Sequence, residues 1–435
     1  MAPYAVAGTG DAWQGHNKGV IMLHNKKKNW KPFDMNKKPV KQYPFLVPLI
    51  WGASWLMTRR FRLKIEKENM EHIRPPYLVL STHQGFSDYY IAPLALFPHR
   101  ANYVSDMEGF AAFGEWLYRG IGCIGKRRYV SDVAVVKNIY YTLHNKKQIV
   151  AVFPESRHSN VGTTSRIPGN MGKLAKLMKV PVVTLSVHGS YLAGPFWDEE
   201  HIRTVPMEAR LTCIYTAQEL ERAGDEEVQQ KIEEKLQYDE YRWQKEKGIA
   251  IRYKNRAEGL HMALYQCRAC KTSFRMESCG CVLRCSACGA EWEMDEYGQL
   301  QRGGETQRIP DWYEWQRRNV EEEIFRGEYR CDLSVRVEAL PNAFGFIPMG
   351  EGRLTQEEKG FTLSVQGKTL VFDHVSRESV QTEYNYRGRG ACIVLSDRDC
   401  CYYIYSKEPD FAPTRIQFAG EYFYLHERKK FCVPM

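Results

Sequence analysis

A histidine and an aspartate, His83 and Asp88, stand five positions apart directly after the apolar run 77–80. Such a run predicts a buried strand, which would place both side chains at the end of that strand. Histidine titrates near neutral pH, so it can take a proton from a weak nucleophile while a nearby carboxylate supports the imidazolium. The spacing predicts a general-base dyad; the alternative is that His83 only caps a turn. The chain has no Gly-x-Ser-x-Gly motif that would indicate a serine nucleophile.

A second apolar run, residues 149–153, ends in Phe-Pro-Glu and leads into the polar loop 156–158. The basic trio 126–128 (Lys-Arg-Arg) lies between the two runs, and the apolar stretch 180–183 (Val-Pro-Val-Val) follows them. These four blocks, in this order, resemble the glycerophospholipid acyltransferase family typified by 1-acyl-sn-glycerol-3-phosphate acyltransferase. The resemblance covers about residues 43 to 222. Within it, Ser-Arg-His replaces the common Gly-Thr-Arg at 156–158, and Thr184 replaces a frequent second proline.

The resemblance implies roles for individual residues of this chain. His83 would be the base that activates the acceptor hydroxyl, and Asp88 would orient it. Glu155 and Arg157 would line the acceptor pocket. The two departures from the family pattern bear on the acceptor substrate more than on the chemistry.

The basic trio is the expected phosphate site. A guanidinium presents a planar fork of donors that matches phosphate oxygens. Arg127 or Arg128 is therefore expected to hold a substrate phosphate, and the sequence does not separate the two. The alternative is a solvated basic turn.

The implied reaction moves a fatty acyl chain from an acyl-CoA or acyl carrier protein thioester to the hydroxyl of a lysophospholipid. The expected acceptor is 1-acylglycerol 3-phosphate. The alternative is a catalytically inactive, membrane-associated binding module that recruits a partner through its later domains, and the altered loop 156–158 favours it. A base, an orienting carboxylate and phosphate-binding candidates occur together, which favours the enzyme.

A glycine pattern inside this region has a different explanation. Residues 120–125 match Gly-x-Gly-x-x-Gly, which in a dinucleotide fold follows a strand and opens a helix. Here a helical pattern over 111–119 precedes the glycines, and no acidic residue lies near position 145. The pattern therefore does not predict a nucleotide site.

Composition places the chain in a reducing compartment. It has 435 residues, 43% hydrophobic and 26% charged, which is ordinary for two or three domains of a soluble or peripheral protein. Residues 1–42 are polar and lysine-rich and do not resemble a secretory signal peptide. The 13 cysteines are then expected to be reduced or metal-bound. We expect a cytoplasmic protein, peripheral on the inner face of the cell membrane.

The net charge of +9 is concentrated around an apolar run at residues 44–57. Lysines at 26–28, 31, 37, 38 and 41 precede the run, and arginines at 59, 60 and 62 with Lys64 follow it. The run has 14 residues, shorter than the ~20 that span a bilayer as a helix. Trp51 and Trp55 in the run and the flanking cations predict contact with an anionic membrane surface. The alternative is an ordinary core helix.

The pattern of apolar runs predicts an α/β fold, an acyltransferase-like layered sheet with helices. Predicted strands at 77–81, 149–153 and 182–187 are separated by predicted helices starting at Tyr89 and over 133–144 and 171–178. A charged stretch, 225–247, predicts one connecting helix with a narrow apolar stripe. The predicted domains are a basic segment at 1–42, the acyltransferase domain at 43–222, a connector at 223–258, a zinc ribbon at 259–303, a helix at 304–328 and a small β domain at 329–435.

Two Cys-x-x-Cys pairs, Cys267 with Cys270 and Cys285 with Cys288, are separated by 14 intervening residues. Each pair puts two thiolates on one tight turn, and two such turns can close a tetrahedron around structural Zn²⁺. A redox dithiol is the alternative. The Cys-Gly-Cys at 279–281 is expected at a hairpin tip. Four acidic residues follow the second pair between 291 and 296, so no nucleic-acid partner is predicted.

The last hundred residues predict a small, all-β domain. A helix with an early proline is expected over 310–325. Period-two patterns then predict short strands at 361–365, 369–372, 392–395, 402–405 and 422–425. The sequence gives no ligand for this domain.

Overall fold

The computed structural model describes residues 30–198 and 201–432. The lysines at 26–28 of the predicted basic segment lie outside the described residues. The fold is mixed α/β, as predicted, and contains three sheets. The first sheet has seven strands in the order β1-β7-β6-β2-β5-β3-β4. Its strands are β1 Lys64–Glu68, β2 Leu78–Ser81, β3 Ala101–Asp106, β4 Cys123–Lys126, β5 Ile149–Val152, β6 Val182–His188 and β7 Glu208–Tyr215.

Five neighbouring strands of this sheet, from β6 to the edge strand β4, run parallel, and β7 runs antiparallel to β6. Strands β2 and β5 are fully buried, which is typical of a parallel sheet covered on both faces. They pair directly, with Leu80 opposite Val152. The loops that follow them therefore meet at one edge of the sheet, and these loops carry the predicted site residues.

Helices cover the first sheet and lead out of it. The predicted helices over 133–144 and 171–178 are confirmed at the expected bounds. The described helices of this half are α1 Val47–Thr58, α2 Asp88–Ala95, α3 Met107–Phe113, α4 Glu115–Gly120, α5 Val133–His144, α6 Met171–Met178, α7 Ser190–Ala193, α8 Ala217–Arg222, α9 Asp225–Lys235 and α10 Glu240–Glu246. Helix α4 ends at the first glycine of the pattern and β4 begins within it, the reverse of the strand-to-helix order that a dinucleotide site requires.

The predicted single connector helix over 225–247 is wrong, because two helices, α9 and α10, occupy this stretch. Between them Tyr238 turns into the core, and Asp239 caps α10 by accepting the backbone N–H of Arg242. The hydroxyl of Tyr238 donates to Glu155. The break between α9 and α10 therefore brings the buried side chain of Tyr238 to the loop after β5.

The second sheet is antiparallel, in the order β12-β11-β10-β9-β8. Its strands are β8 Met276–Cys279, β9 Val282–Cys285, β10 Glu291–Met294, β11 Gln299–Arg302 and β12 Glu305–Arg308. The hairpin between β8 and β9 turns at 279–282, so the Cys-Gly-Cys lies at its tip, as predicted. Helix α11, Ile309–Phe325, follows. Its buried Trp312 donates to the carbonyl of Gln266, 2.8 Å away.

The third sheet is antiparallel, in the order β16-β15-β14-β13-β19-β18-β17. Its strands are β13 Asp332–Leu340, β14 Ile347–Glu357, β15 Gly360–Val365, β16 Lys368–Asp373, β17 Gln381–Glu383, β18 Cys392–Ser396 and β19 Cys401–Ser406. The strand predicted at 422–425 is wrong, because helix α12, Pro413–Cys432, contains it. Consecutive aromatics favour strands, but the buried residues Ile416, Ala419 and Phe423 recur at helical spacing.

All three sheets contribute to one large buried cluster, and two further clusters of buried side chains lie beside it. A single buried cluster includes Val79 of β2, Leu283 of β9, Trp312 of α11 and Val337 of β13. The parts on either side of the predicted boundaries at 222, 258, 303 and 328 thus pack on one another. The division of the chain into domains at these positions stays a prediction.

Candidate active site

The loop after β2 holds His83 and Asp88 in contact. The Nδ1 atom of His83 lies 3.3 Å from Oδ2 of Asp88, and the same oxygen accepts the backbone N–H groups of Gln84 and Gly85 at 2.6 and 3.1 Å. An ionised carboxylate only accepts hydrogen bonds, so a proton on Nδ1 satisfies Asp88 and leaves a lone pair on Nε2. Asp88 thus organises the loop and also orients the imidazole.

His83 is surrounded by rings. Its ring centroid lies 4.5 Å from that of Phe153, 4.4 Å from that of His158 and 5.6 Å from that of Tyr89. The hydroxyl of Tyr89 is 3.5 Å from Nε2 of His83. Burial, with a further contribution from His158, lowers the pKa of His83 to about 4, against the opposing effect of Asp88. The imidazole is therefore neutral at pH 7, the form that can accept a proton.

Glu155 joins the loop after β5 to the loop after β2. One carboxylate oxygen accepts the backbone N–H of His83 at 2.9 Å, and the other accepts the N–H of Ser165 at 2.7 Å and the hydroxyl of Tyr238 at 3.0 Å. Burial raises the pKa of Glu155 to about 7, and these hydrogen bonds oppose the rise. The side chain is fully enclosed by these partners. This geometry is that of a residue that positions His83.

Arg157 is buried and reaches away from His83. Its guanidinium lies 3.3 Å from Glu421 of α12, 3.4 Å from the hydroxyl of Ser379 and 3.3 Å from that of Ser165. Glu421 also pairs with Arg317 of α11. These contacts tie the loop 156–158 to the C-terminal part of the chain. The next residue in the loop, His158, contacts His83 instead.

We expect Glu421→Ala to destabilise the protein strongly. The change leaves the buried Arg157 and the largely covered Arg317 without their shared carboxylate, and breaking a buried ion pair by removing one partner costs about 3–5 kcal/mol. Denaturant unfolding of the purified variant measures the effect. Glu351→Ala, at an exposed ion pair with Lys407, is the control and should lie within about 1 kcal/mol of wild type. Equal losses in the two variants would contradict this assignment.

The structure separates the two arginines of the basic trio. The guanidinium of Arg127 donates to the backbone carbonyls of Arg398, Asp399 and Pro341 at 2.7, 3.0 and 3.2 Å. It is directed into the third sheet and serves the packing of the chain. Arg128 does not share these contacts. Its guanidinium is ion-paired to Asp106 and lies 3.5 Å from Glu383. Of the two, Arg128 alone lines the cavity beside His83.

This cavity has a volume of about 850 Å³, within the range of pockets that enclose organic ligands. Its wall includes Tyr89, Phe153 and His158, the three rings that contact His83, whereas His83 itself does not line it. Residues from all three sheet regions complete the wall. The sequence analysis missed this contribution from outside the first sheet: Glu258, Gly259, His261 and Met262 before strand β8, and Phe346, Gln381, Glu383, Tyr384, Asn385, Tyr386 and Arg387 of the third-sheet region.

The four predicted ligand cysteines come together at one point. The Sγ atoms of Cys267, Cys270, Cys285 and Cys288 lie within 4.8 Å of one another. Two of the Sγ pairs are 3.8 Å apart, which matches the edge of a tetrahedron with metal–sulfur bonds of about 2.3 Å. Four thiols placed in this way can bind a metal ion. Cys281 stands apart, with its Sγ near Glu293.

The comparison with protein families matches the part of the chain that contains this site. The family model described as Acyltransferase matches residues 64–188, which contain His83, Asp88, Arg128 and Glu155. This part of the chain is therefore an acyltransferase-family domain.

Two solved structures resemble parts of the chain. One is the 1-acyl-sn-glycerophosphate acyltransferase PlsC from Thermotoga maritima, at 18% identity and a TM-score of 0.37, covering 47% of this chain and 80% of that one. The other is SsgB, from work on sporulation of Streptomyces coelicolor, at 15% identity and a TM-score of 0.13, covering 24% of this chain and 91% of that one. Scores this low carry no conclusion about activity. No curated protein matches the chain.

Proposed function

We propose that this protein transfers a fatty acyl chain from an acyl-CoA or acyl carrier protein thioester to the hydroxyl of a lysophospholipid. The observation that carries the proposal is the His83–Asp88 pair, held inside the acyltransferase-family match and next to the cavity. The cavity is large enough for an organic ligand, and much of its wall is aromatic or aliphatic, as an acyl chain requires.

In the proposed reaction, Nε2 of His83 removes the proton of the acceptor hydroxyl while the oxygen attacks the thioester carbonyl. Asp88 stabilises the imidazolium that forms. Collapse of the tetrahedral intermediate breaks the carbon–sulfur bond, and the imidazolium returns its proton to the leaving thiolate. Glu155 and Tyr89 are proposed to position the base, because one holds its backbone and the other lies beside Nε2.

The second candidate is a binding module without catalysis. Two observations favour it: His83 is only 5% exposed, and the cavity is lined by Tyr89, Phe153 and His158, the rings that contact His83, and not by His83 itself. An active enzyme must let the acceptor hydroxyl pass these rings to reach Nε2. Acyl-transfer assays on the purified protein separate the two candidates, since an inactive module yields no diacyl product.

We expect Asp88→Asn to lower turnover by about 10²-fold or more, because an amide does not stabilise the imidazolium as a carboxylate does. The measurement is the initial rate with labelled acyl-CoA and a lysophospholipid panel. The amide can still accept the N–H groups of Gln84 and Gly85, so the loop should stay folded. If Asp88→Asn is silent while Asp88→Ala unfolds the chain, Asp88 is a cap and nothing more.

We further propose that α1 docks on an anionic membrane surface. Its outer face exposes Leu49, Trp55 and Leu56, at 65%, 60% and 52%. Its other face contributes Ile50, Ala53 and Ser54 to the cavity, so a docked helix would place the cavity next to lipid. Within residues 30–198 and 201–432, no helix has the length and apolar character to cross a bilayer. We therefore propose that α1 lies on the membrane surface and does not cross the bilayer.

We expect the double variant Leu49→Ser, Trp55→Ser to bind vesicles of phosphatidylglycerol and phosphatidylcholine at least tenfold more weakly than wild type. Burying one large apolar side chain contributes about 1.5–3 kcal/mol. Co-sedimentation measures this, and wild-type binding should fall as salt rises. Val371→Ser, on an exposed strand of the third sheet, is the control. Binding that ignores both salt and the α1 variant would contradict the proposal.

For the four-cysteine cluster we propose structural Zn²⁺. Zinc is the metal that four thiolates at this spacing usually hold. Four protein ligands leave no open position for a substrate, which makes the role structural.

A further inference from the structure

The basic trio, in which the sequence predicts a phosphate site, is committed to other partners. Lys126 donates to the hydroxyl of Ser156 at 2.9 Å. The first arginine of the trio donates to backbone carbonyls. Arg128 lies between two carboxylates, those of Asp106 and Glu383. A substrate phosphate at Arg128 would have to compete with both carboxylates, so another cation of the cavity is better placed to hold it.

Arg387 is the second arginine in the wall of the cavity, and among the described residues no lysine lines that wall. It belongs to the loop between β17 and β18. Its guanidinium lies 3.2 Å from one carboxylate oxygen of the buried Glu338, and the other oxygen pairs with Arg389. One carboxylate is thus shared by two guanidinium groups. The excess positive charge favours an anion at this part of the wall.

The guanidinium of Arg387 has donors that the protein leaves unused. Its Cζ lies over the ring of Phe346, 4.0 Å from the ring centroid, and this ring also lines the cavity. Nη1 donates to Glu338, whereas Nε is buried and has no hydrogen-bond partner in the part of the chain that the structure describes. Stacking on a ring orients a guanidinium. Phosphate oxygens match its side-by-side N–H groups.

The backbone of Arg387 is also unusual. Its φ and ψ of 57° and 29° are left-handed, a conformation that residues with a side chain adopt rarely and glycine adopts readily. The loop is closed by the N–H of Tyr386, which donates to the carbonyl of Gly390 at 3.0 Å. Residues held in such conformations cluster at functional sites. An arginine at a position that suits glycine therefore indicates a use for its side chain.

The acids of the cavity wall oppose an anion less than their number suggests. The two beside Arg128 share its charge. Asp198 lies 3.1 Å from the guanidinium of Arg203. Burial raises the pKa of Glu108, which favours its neutral form. These partners and this shift reduce the negative charge that faces the cavity.

We propose that Arg387, from the third-sheet region, binds a phosphate group of a substrate in place of the basic trio. The inference deepens the proposed acyl transfer and rests on it. The phosphate can come from the lysophospholipid acceptor or from the acyl donor, because coenzyme A and phosphopantetheine also carry phosphate. The third sheet would then take part in substrate binding as well as in packing.

The test removes the phosphate from one substrate at a time. The acceptors are 1-acylglycerol 3-phosphate and 1-acylglycerol with the same acyl chain, and the donors are acyl-CoA and S-acylpantetheine, all in neutral detergent micelles at pH 7.5. Arg387→Gln should lower kcat/KM at least tenfold, mainly through KM, for the substrate whose phosphate it binds, because a charge-assisted contact is lost. With the phosphate-free counterpart, the variant should stay within about threefold of wild type. A loss that follows the acceptor identifies the head group, and a loss that follows the donor identifies the donor phosphate.

Arg336→Gln is the matched control. Arg336 is an exposed arginine of β13 that lies over the ring of Tyr405, with Cζ 5.1 Å from the centroid, and it does not line the cavity. This variant should keep the wild-type kcat/KM with every substrate. Arg387→Gln is expected to fold, because Glu338 keeps its pair with Arg389. If it does not fold, Arg387→Lys replaces it: lysine keeps the charge without the planar fork, and the same phosphate-dependent loss should reach about threefold.

A loss of equal size with and without the substrate phosphate would overturn the inference, and so would no loss with any substrate. In both cases the wild type transfers acyl chains, so the proposed function stands. If the wild type acylates no acceptor, the proposed function fails and the site is judged by equilibrium binding of 1-acylglycerol 3-phosphate and of coenzyme A. Arg387→Gln should weaken the binding of one of them at least tenfold, and equal binding by variant and wild type would overturn the inference.

Discussion

His83→Ala lowers the rate of acyl transfer by about 10²-fold to 10⁴-fold, the usual contribution of a positioned general base. This is the expected result if Nε2 of His83 removes the hydroxyl proton. The thioester is already a reactive acyl donor, so the hydroxyl is the partner that needs activation. The measurement is the initial rate with labelled acyl-CoA and the best acceptor, beside a melting curve of the same sample.

The matched control is His72→Ala, which removes an exposed imidazole and should keep the wild-type rate. The melting curve is needed because His83 is buried among Phe153, Tyr89 and His158, and its loss leaves a cavity there. A folded His83→Ala variant with wild-type turnover would rule out the dyad. The proposal would then reduce to the binding module.

The second large effect is expected at the metal site. Cys285→Ser should lower the zinc content from about one per chain and reduce the melting temperature by roughly 5–10 °C, because metal binding and folding are coupled at such sites. Leu283 and Trp292 of the ribbon sheet belong to the core shared with the first sheet. Loss of the metal should therefore also speed proteolysis of residues 259–303.

Cys279→Ser is the control for the metal site, since Cys279 is exposed at the hairpin tip and outside the cluster. It should keep both zinc and stability. The kcat of the folded Cys285→Ser protein should stay within about threefold of wild type, because the cysteines do not line the cavity. Turnover that vanishes on chelation and returns with zinc, with no change in proteolysis, would instead make the metal catalytic.

The sequence predicts best the features that local pattern determines. Apolar periodicity predicts helices α5 and α6 and strands β2, β5 and β6. The predicted bounds of each element lie within a few residues of the observed bounds. The four-cysteine cluster follows from spacing, because two Cys-x-x-Cys turns constrain their own geometry. The His83–Asp88 contact is of the same kind, since His83 lies in the short loop after β2 and Asp88 begins the helix that follows it.

What the sequence does not predict depends on distant contacts. Arg127 and Arg128 are neighbours of one type, and only the carbonyls of Pro341, Arg398 and Asp399 decide which of them leaves the cavity. The part of the cavity wall around Glu383 carries no motif. The aromatic run at 422–425 fits a strand locally and becomes helical because α12 packs on the third sheet and on α11.

The loop 156–158 shows how a distant contact can change the role that a family resemblance implies. The resemblance implied that Arg157 lines the acceptor pocket, whereas Arg157 is committed to Glu421, more than 250 positions away in the chain. His158 takes the place beside His83 and lines the cavity. The altered loop is thus explained by packing on α12, a contact that the sequence does not reveal.

The central claim is that the purified protein joins an acyl chain to a lysophospholipid hydroxyl. The direct measurement incubates wild-type protein with acyl-CoA, and separately with acyl-acyl carrier protein, plus the lysophospholipid panel. It then quantifies diacyl product by mass spectrometry and released thiol by colorimetry. The account predicts equal amounts of diacyl lipid and free thiol, both dependent on His83. Thiol release without diacyl product, or product formed equally by wild type and His83→Ala, would contradict it.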